Sequence, residues 1–436
     1  MTWLRRYRVR HYVRNSIWIW PLLSMVAAMG AVRLLHWVEE EMEWDSNLPP
    51  STAQAVLGTM ASSLFTFIVF VSSALLVAVQ LATAQLTPRI IAIVFKDPLT
   101  KVSLVVFVFT FTFTLTVLVR ITTSVPPLTA HVAAYGCLAS LAVFLYLIDH
   151  VGKSLRPSGA LWTVAALGRE VIESVYPRRV AESPGTARAP AAALDRELTC
   201  TIPSRRDGVV LAFDIPGLVS LAERADCVIE LVPQVGDFVA IGDPLFRIFH
   251  GGATLPADAL YQSIAVGQER TPEQDPAFAF RILVDIAAKG LSPAINDPTT
   301  AVLALDQIHH LLRDVGHRRL DDERVRDKAG RLRLAYRTPD WEDFVQLAVT
   351  EIRHFGGASI QVARRLRAML ENLIHTLPEE RSRRLRQELA LLHRSAERFF
   401  MEPEDRALAE VSDLQGVGGK HGRDQPDRPV KEATPS

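Results

Sequence analysis

The chain has 436 residues, enough for two or three domains with cores of their own. Its 48 basic and 48 acidic side chains cancel, so no global field points to nucleic acid or to an acidic partner. Three cysteines without a CxxC pair argue against a disulfide framework or a structural zinc, and fit a reducing compartment.

The balance hides an asymmetry, because almost all of the charge lies beyond the first third of the chain. Within that third, four segments reach the length of about 20 apolar residues that crosses a bilayer. They run Ile17–Trp37, Ala55–Val79, Val102–Ile121 and Leu128–Ile148. The first is followed by "HWVEEEMEWD" and not by a small-residue cleavage site, so it reads as an anchor and not as a signal peptide. Trp18 and Trp20 at one end, and Trp37 and Trp44 at the other, fit interfacial belts. Loop charge sets the orientation. Arg5, Arg6, Arg8, Arg10 and Arg14 precede the first span, whereas Glu39, Glu40, Glu41, Glu43 and Asp45 follow it. Arg89, Lys96 and Lys101 precede the third span, and Lys153 and Arg156 follow the fourth. Positive charge stays on one side, which predicts a membrane domain over 1–150 with both termini cytoplasmic.

Two spans carry polar residues. "FVFTFTFTLT", Phe107 to Thr116, alternates with the period of a strand, but its neighbours do not, so it is read as a helix without a single polar face. In the second span Thr59, Ser62, Thr66, Ser73 and Gln80 share one narrow stripe at 100° per residue. The stripe is either a water-facing wall of a pathway or a close helix contact. The absence of an intramembrane carboxylate or lysine favours the contact.

Beyond the spans, Ser158–Tyr176 reads as an amphipathic helix with Leu161, Ala165, Ile172 and Val175 on one face. Pro177–Glu197 has the composition of a linker, and the two together fill 151–198. Residues 199–255 form a β-rich module cut by Gly208, Gly236-Asp237 and Gly242-Asp243-Pro244. Its repeated turn pattern resembles the barrel-sandwich hybrid of biotinyl and lipoyl carrier domains. In those carriers a hairpin lysine bears the prosthetic group. The corresponding "IPGLVSLAERADC" is a short helix without a lysine, which argues for a docking or assembly module instead.

Residues 256–405 are mainly helical, with "RLRLAYR" as a strand and long helices over Trp341–Leu377 and Glu379–Phe400. Residues 406–436 read as a disordered tail. Asp97-Pro98, Asp275-Pro276 and Asp297-Pro298 are each an N-cap followed by a proline at the first helical position. Asp297 is therefore a cap before it is a base. Asn296 and the helix start at Thr299-Thr300 remain, with Arg270 and Thr271, as candidates to hold a small anion. Asp306, His310, Asp314 and His317, with His309 beside them, make a ladder able to offer ligands to a metal, although no HExxH or CxxC supports it. No GxSxG, P-loop or post-strand GxGxxG is present, so neither a catalytic nucleophile nor a cofactor is expected.

Three stretches together carry a family resemblance: "QLATAQLTPRIIAIVFKD", "ERTPEQDPAFAFRILVDIAAKGLSPAINDPTTAVLALDQ" and "EIRHFGGASIQVARRLRAMLENL". They resemble the bacterial membrane proteins of the domain-of-unknown-function 2254 family, from the first span to about Asp405. The resemblance implies an integral inner-membrane protein with a large cytoplasmic region, and brings no reaction or catalytic residue. The expected fold is four transmembrane helices plus a cytoplasmic α+β region, in which a small barrel-sandwich-like module precedes helices. The expected function is a non-enzymatic homo-oligomer in the bilayer that senses a ligand or gates a pathway. A membrane-tethered enzyme or anion sensor centred on "SPAINDP" and an interaction scaffold are the alternatives.

Overall fold

The computed structural model describes residues 2–42, 49–87, 89, 97–121, 125–154, 156–180, 197–252, 255–320 and 323–419. Trp44, Glu43, Asp45, Lys96, most of the expected linker and residues 420–436 lie outside the described residues. The chain divides into two compact units, Met1–Ala160 and Leu161–Ser436.

The first unit contains α1 (Trp3–Asn15), α2 (Ile19–Glu41), α3 (Pro50–Gln85), α4 (Pro98–Arg120) and α5 (Pro127–Ser154). Among the described residues, four stretches are long and apolar enough to span a membrane: Ile19–Glu41, Pro50–Leu81, Pro98–Arg120 and Pro127–Lys153. The alternating span is a helix, and it is the central one. Its apolar window is 44% buried, against 17–22% for the other three, because α2, α3 and α5 all pack on α4. That position explains the missing polar face. A surrounded helix buries both of its threonine rows, so Thr110 and Thr114 are buried together with Thr112. Thr110 accepts from the Ser140 hydroxyl at 3.1 Å, and the Thr116 hydroxyl donates back to the Thr112 carbonyl at 2.6 Å. At the start of α4 the Asp97 carboxylate accepts from the Thr100 N–H at 3.0 Å, as its Asp-Pro pair predicts. The start of α5 is capped from another helix: Glu39 of α2, only 4% exposed, accepts from the Thr129 N–H at 2.9 Å.

The second unit takes in most of α6 (Pro157–Val175), then β1 (Leu198–Pro203), β2 (Gly208–Phe213), α7 (Ile215–Arg224), β3 (Val228–Leu231), β4 (Phe238–Val239) and β5 (Pro244–Phe249). It continues through α8 (Ala257–Tyr261), β6 (Ile264–Gly267), α9 (Pro276–Gly290), α10 (Pro298–Gly316), β7 (Glu323–Arg326) and β8 (Leu332–Tyr336). It closes with α11 (Trp341–Gly356), α12 (Ile360–Thr376), α13 (Glu379–Phe399) and α14 (Pro403–Ala409). One sheet has the order β1-β5-β3-β8-β7 and the other β4-β2-β6. Among the described residues only β3 and β8 run parallel, with Ile229 opposite Leu334. The sheets and α7 share a core that includes Phe213, Leu218, Ile229, Phe246, Ile248 and Leu334.

The strand-rich part is thus wider than residues 199–255: β8 is the strand expected from "RLRLAYR", whereas β6 and β7 come from the rest of the stretch read as mainly helical. The twin turns are real. Asp237 accepts from the Gln234 N–H and Asp243 from the Ala240 N–H, each at 2.8 Å, with Gly236 and Gly242 at φ 95° and 94°. The helix expected over Trp341–Leu377 is two helices, broken at Gly356-Gly357-Ala358, where Ser359 caps α12. A Cβ on Gly357 would lie 2.5 Å from the Phe399 ring, so the break lets α13 approach closely. The expected tail is held as far as residue 419. Arg364, with no exposed surface, donates to the carbonyls of Val411, Gly418 and Gly419. Asp413 accepts from the N–H groups of Gln415, Gly416 and Gly418 within the same strap.

Candidate functional site

The expected anion site spreads over both ends of α9. At its start Asp275, 2% exposed, caps the helix by accepting from the Phe278 N–H at 3.1 Å. Its other oxygen accepts from Arg270 Nε at 2.7 Å. Burial pushes the Asp275 carboxyl up, and the Arg270 guanidinium opposes that rise. Arg270 lies across the Gly236 turn, where a Cβ would come within 2.3 Å of the guanidinium. Arg270 therefore serves a buried carboxylate and the twin-turn module, and the neighbouring Thr271 hydroxyl is buried without a partner among the described residues.

Asn296 lies past the other end of α9, exposed and at φ 49°. That left-handed turn brings the Asp297 N–H onto the Gly290 carbonyl at 2.7 Å and closes the loop. Asp297 then takes both the N–H of Thr300, at 3.0 Å, and its hydroxyl, at 2.6 Å. Thr299 is exposed beside it. The ends of a 15-residue helix are about 22 Å apart at about 1.5 Å per residue. The structure does not bring Arg270 and Thr271 together with Asn296, Thr299 and Thr300.

The other expected sets are also resolved by their neighbours. Thr59, Ser62, Thr66, Ser73 and Gln80 all lie on the exposed side of α3, opposite the buried row of Leu57, Ala61, Leu64 and Val71. Thr59 and Thr66 donate to the carbonyls of Ala55 and Ser62, both at 2.9 Å. The stripe faces away from the interior of its own bundle. In the ladder, Asp306 accepts from Arg365 Nε at 2.7 Å, while His310 and His317 are exposed and Asp314 is partly buried. No group of three His, Cys, Asp or Glu side chains converges among the described residues. His309 packs between Arg365 and Asn372, with Nε2 2.9 Å from Asn372 Oδ1. Burial first, and then the Arg365 charge, pushes it down to about 4.

What the sequence reading missed is a cleft of about 100 Å³ in the second unit. Its walls include Phe213, Ile215, Val235, Pro276, Tyr336 and Pro339, with Ser174 and Val175 from the end of α6. Phe213 and Tyr336 meet edge to face, with centroids 4.9 Å apart. Gln274 is clamped to one residue: its carbonyl accepts from the Phe213 N–H at 3.0 Å, and its amide donates to the Phe213 carbonyl at 3.3 Å. The Tyr176 hydroxyl donates to the Pro339 carbonyl at 2.9 Å and fixes the end of α6 to the exit from β8. Arg337 is exposed at the rim and has no carboxylate partner among the described residues. No local motif announces this cleft, because the β3–β8 pairing brings 336–339 to 213–215 across more than a hundred positions.

The family model described as Predicted membrane protein (DUF2254) matches residues 14–372. The chain belongs to the DUF2254 family. Among its relatives, the uncharacterized protein Mb1321c of Mycobacterium bovis is 24% identical over 430 residues, covering 93% of this chain and 80% of its own length. The uncharacterized protein Rv1290c of Mycobacterium tuberculosis matches with the same identity and coverage. No solved structure matches the chain. The family span takes in α2 to α5, both sheets and the whole cleft, so this DUF2254 protein carries its four apolar helices and its cleft within one family unit of sequence.

Proposed function

We propose that this DUF2254 protein is a non-enzymatic membrane sensor whose second unit takes up a small amphipathic anion. The observation that carries the reading is the cleft. Its volume, about 100 Å³, is below the roughly 300–1,000 Å³ of drug-sized pockets, so it suits only a small ligand. Phe213, Ile215, Val235 and Pro276 suit an apolar body, and the unpaired Arg337 suits one acidic group. Ser174 and Val175 line the cleft at one end of α6, and the other end of α6 follows closely on span α5 in the chain. A ligand that shifts α6 acts on an element joined directly to a membrane span.

Two further features support the wider reading. Arginines precede α2, and Glu39, Glu40 and Glu41 end it, which favours cytoplasmic termini in a bacterial inner membrane. The outward stripe on α3 favours assembly of copies along that face, so any water pathway it lines runs between copies.

Native mass spectrometry of the full chain, purified from its membranes and offered small aryl carboxylates, tests the sensor reading. The native protein should retain such an acid. Val235→Trp, which fills the cleft, should abolish retention, and Arg337→Gln should weaken it about tenfold, the worth of one charged hydrogen bond. Equal retention by all three proteins sinks the reading.

A further inference from the structure

The N-terminal helix carries a second surface, independent of the cleft. α1 reads "WLRRYRVRHYVRN" and contains no acidic residue. Arg5, Arg6, Arg8, Arg10 and Arg14 are all exposed, and none has a carboxylate partner among the described residues. Two exposed arginines of α13 behave differently. On α13, Arg383 reaches Glu342 and Arg386 reaches Glu379, at 2.7 and 2.8 Å. On α1, Arg6, Arg10 and Arg14 form an i, i+4, i+8 row of like charges, a spacing that destabilises a helix unless anions intervene.

The helix is also fixed at one end of the membrane bundle. Lys101 Nζ, in the first turns of span α4, donates to the Arg14 carbonyl. His150 Nε2, near the end of span α5, lies 3.2 Å from Asp97 Oδ2, just before α4. The end of α1 therefore sits where α4 begins and α5 finishes, at the boundary between apolar helix and water. An aromatic row runs along α1 beside the Arg6, Arg10 and Arg14 row. Trp3 stacks on Tyr7 at 5.2 Å and Tyr7 on His11 at 5.9 Å, and all three are half-buried. Aromatic rings interleaved with guanidinium groups that have no carboxylate partner are the chemistry of a helix at headgroup depth.

We propose that α1 is a binding surface for the phosphate-bearing headgroups of anionic phospholipids. The guanidinium fork matches phosphate oxygens in pairs, and an anionic leaflet supplies many such groups at the depth where α1 sits. A phosphate between Arg6 and Arg10, or between Arg10 and Arg14, also relieves the repulsion along the row.

The test is native mass spectrometry of the full chain released from mixed micelles of phosphatidylglycerol and phosphatidylcholine in equal amounts. The native protein should retain phosphatidylglycerol preferentially. The preference should fall as ionic strength approaches about 1 M, where the screening length is about 3 Å. Each arginine lost near an anionic surface should weaken retention about fivefold. The variant with Arg5, Arg6, Arg8, Arg10 and Arg14 all changed to Gln should therefore show no preference, and the matching five-Lys variant should keep most of it. No preference in the native protein, or the same preference in the five-Gln variant, overturns the proposal. Capture of a single-stranded oligonucleotide without any lipid preference overturns it in favour of a nucleic-acid surface. None of these outcomes depends on the cleft.

Discussion

Asp275 and Asp297 are the same device used at two helix starts, yet only Asp275 is tied to a distant module. Removing Arg270 leaves Asp275 buried without its counter-charge. Arg270→Ala should cost about 2–3 kcal/mol in chemical denaturation, below the usual figure for a broken buried pair because Arg270 is partly exposed. Asn also caps helices, so Asp275→Asn should recover most of that loss in the Arg270→Ala background. If the double variant is as unstable as the single one, the carboxylate is not the reason for the arginine. A second residue makes stability respond to pH. His309 is held at about 4 against an ordinary 6.5, so the folded state resists protonation more than the unfolded chain does. Its contribution is complete above 6.5 and is lost as pH falls towards 4. The unfolding midpoint should drop across that interval, and His309→Gln should flatten the drop. Much of this scale was legible in the sequence. The three Asp-Pro pairs named their caps because capping is a local matter, decided within four residues. The Gly236 turn beneath Arg270 and the Arg365 partner of Asp306 were not legible, since each lies on an element that only the tertiary fold brings near.

Among the elements, the spans and most helices follow from hydrophobic period and punctuation, and the observed bounds differ from the expected ones by a few residues. The exceptions share a cause. Gly356-Gly357 breaks a continuous apolar rhythm that runs on from α11 into α12, so periodicity alone joins the two helices. The strap after α14 has the composition of a tail but is ordered by one arginine on α12. Truncation after Glu410 removes the Val411, Gly418 and Gly419 carbonyls and leaves the Arg364 guanidinium buried without them. The truncated protein should lose about 3–5 kcal/mol, as expected when a buried charge loses its partners. Arg364→Met in the truncated chain should return part of that stability, because the uncompensated charge is gone. A truncated protein as stable as the full chain would mean that the strap only lies on the surface.

For the molecule as a whole, the stripe on α3 is the feature whose meaning changed most between sequence and structure. The 100° spacing located it correctly, but period cannot say which side of a helix its own bundle occupies. The buried Leu57–Val71 row decides that, and the polar stripe faces outward. If copies meet there, Ser62→Leu with Thr66→Leu should shift the mass measured by light scattering in detergent towards a single chain while leaving thermal stability unchanged. An unchanged mass would separate the stripe from assembly. The topology of the second unit carries a consequence of another kind, in the timing of synthesis. β3 gains its parallel neighbour only when β8 has left the ribosome, about a hundred residues later, which takes roughly 5–20 s at about 5–20 residues per second. For that interval one edge of a growing sheet stands unpaired, its backbone groups open to any other strand. Nascent chains stopped between Phe249 and β8 would thus present a sticky edge, open to neighbouring ribosomes' products until Leu334 arrives beside Ile229.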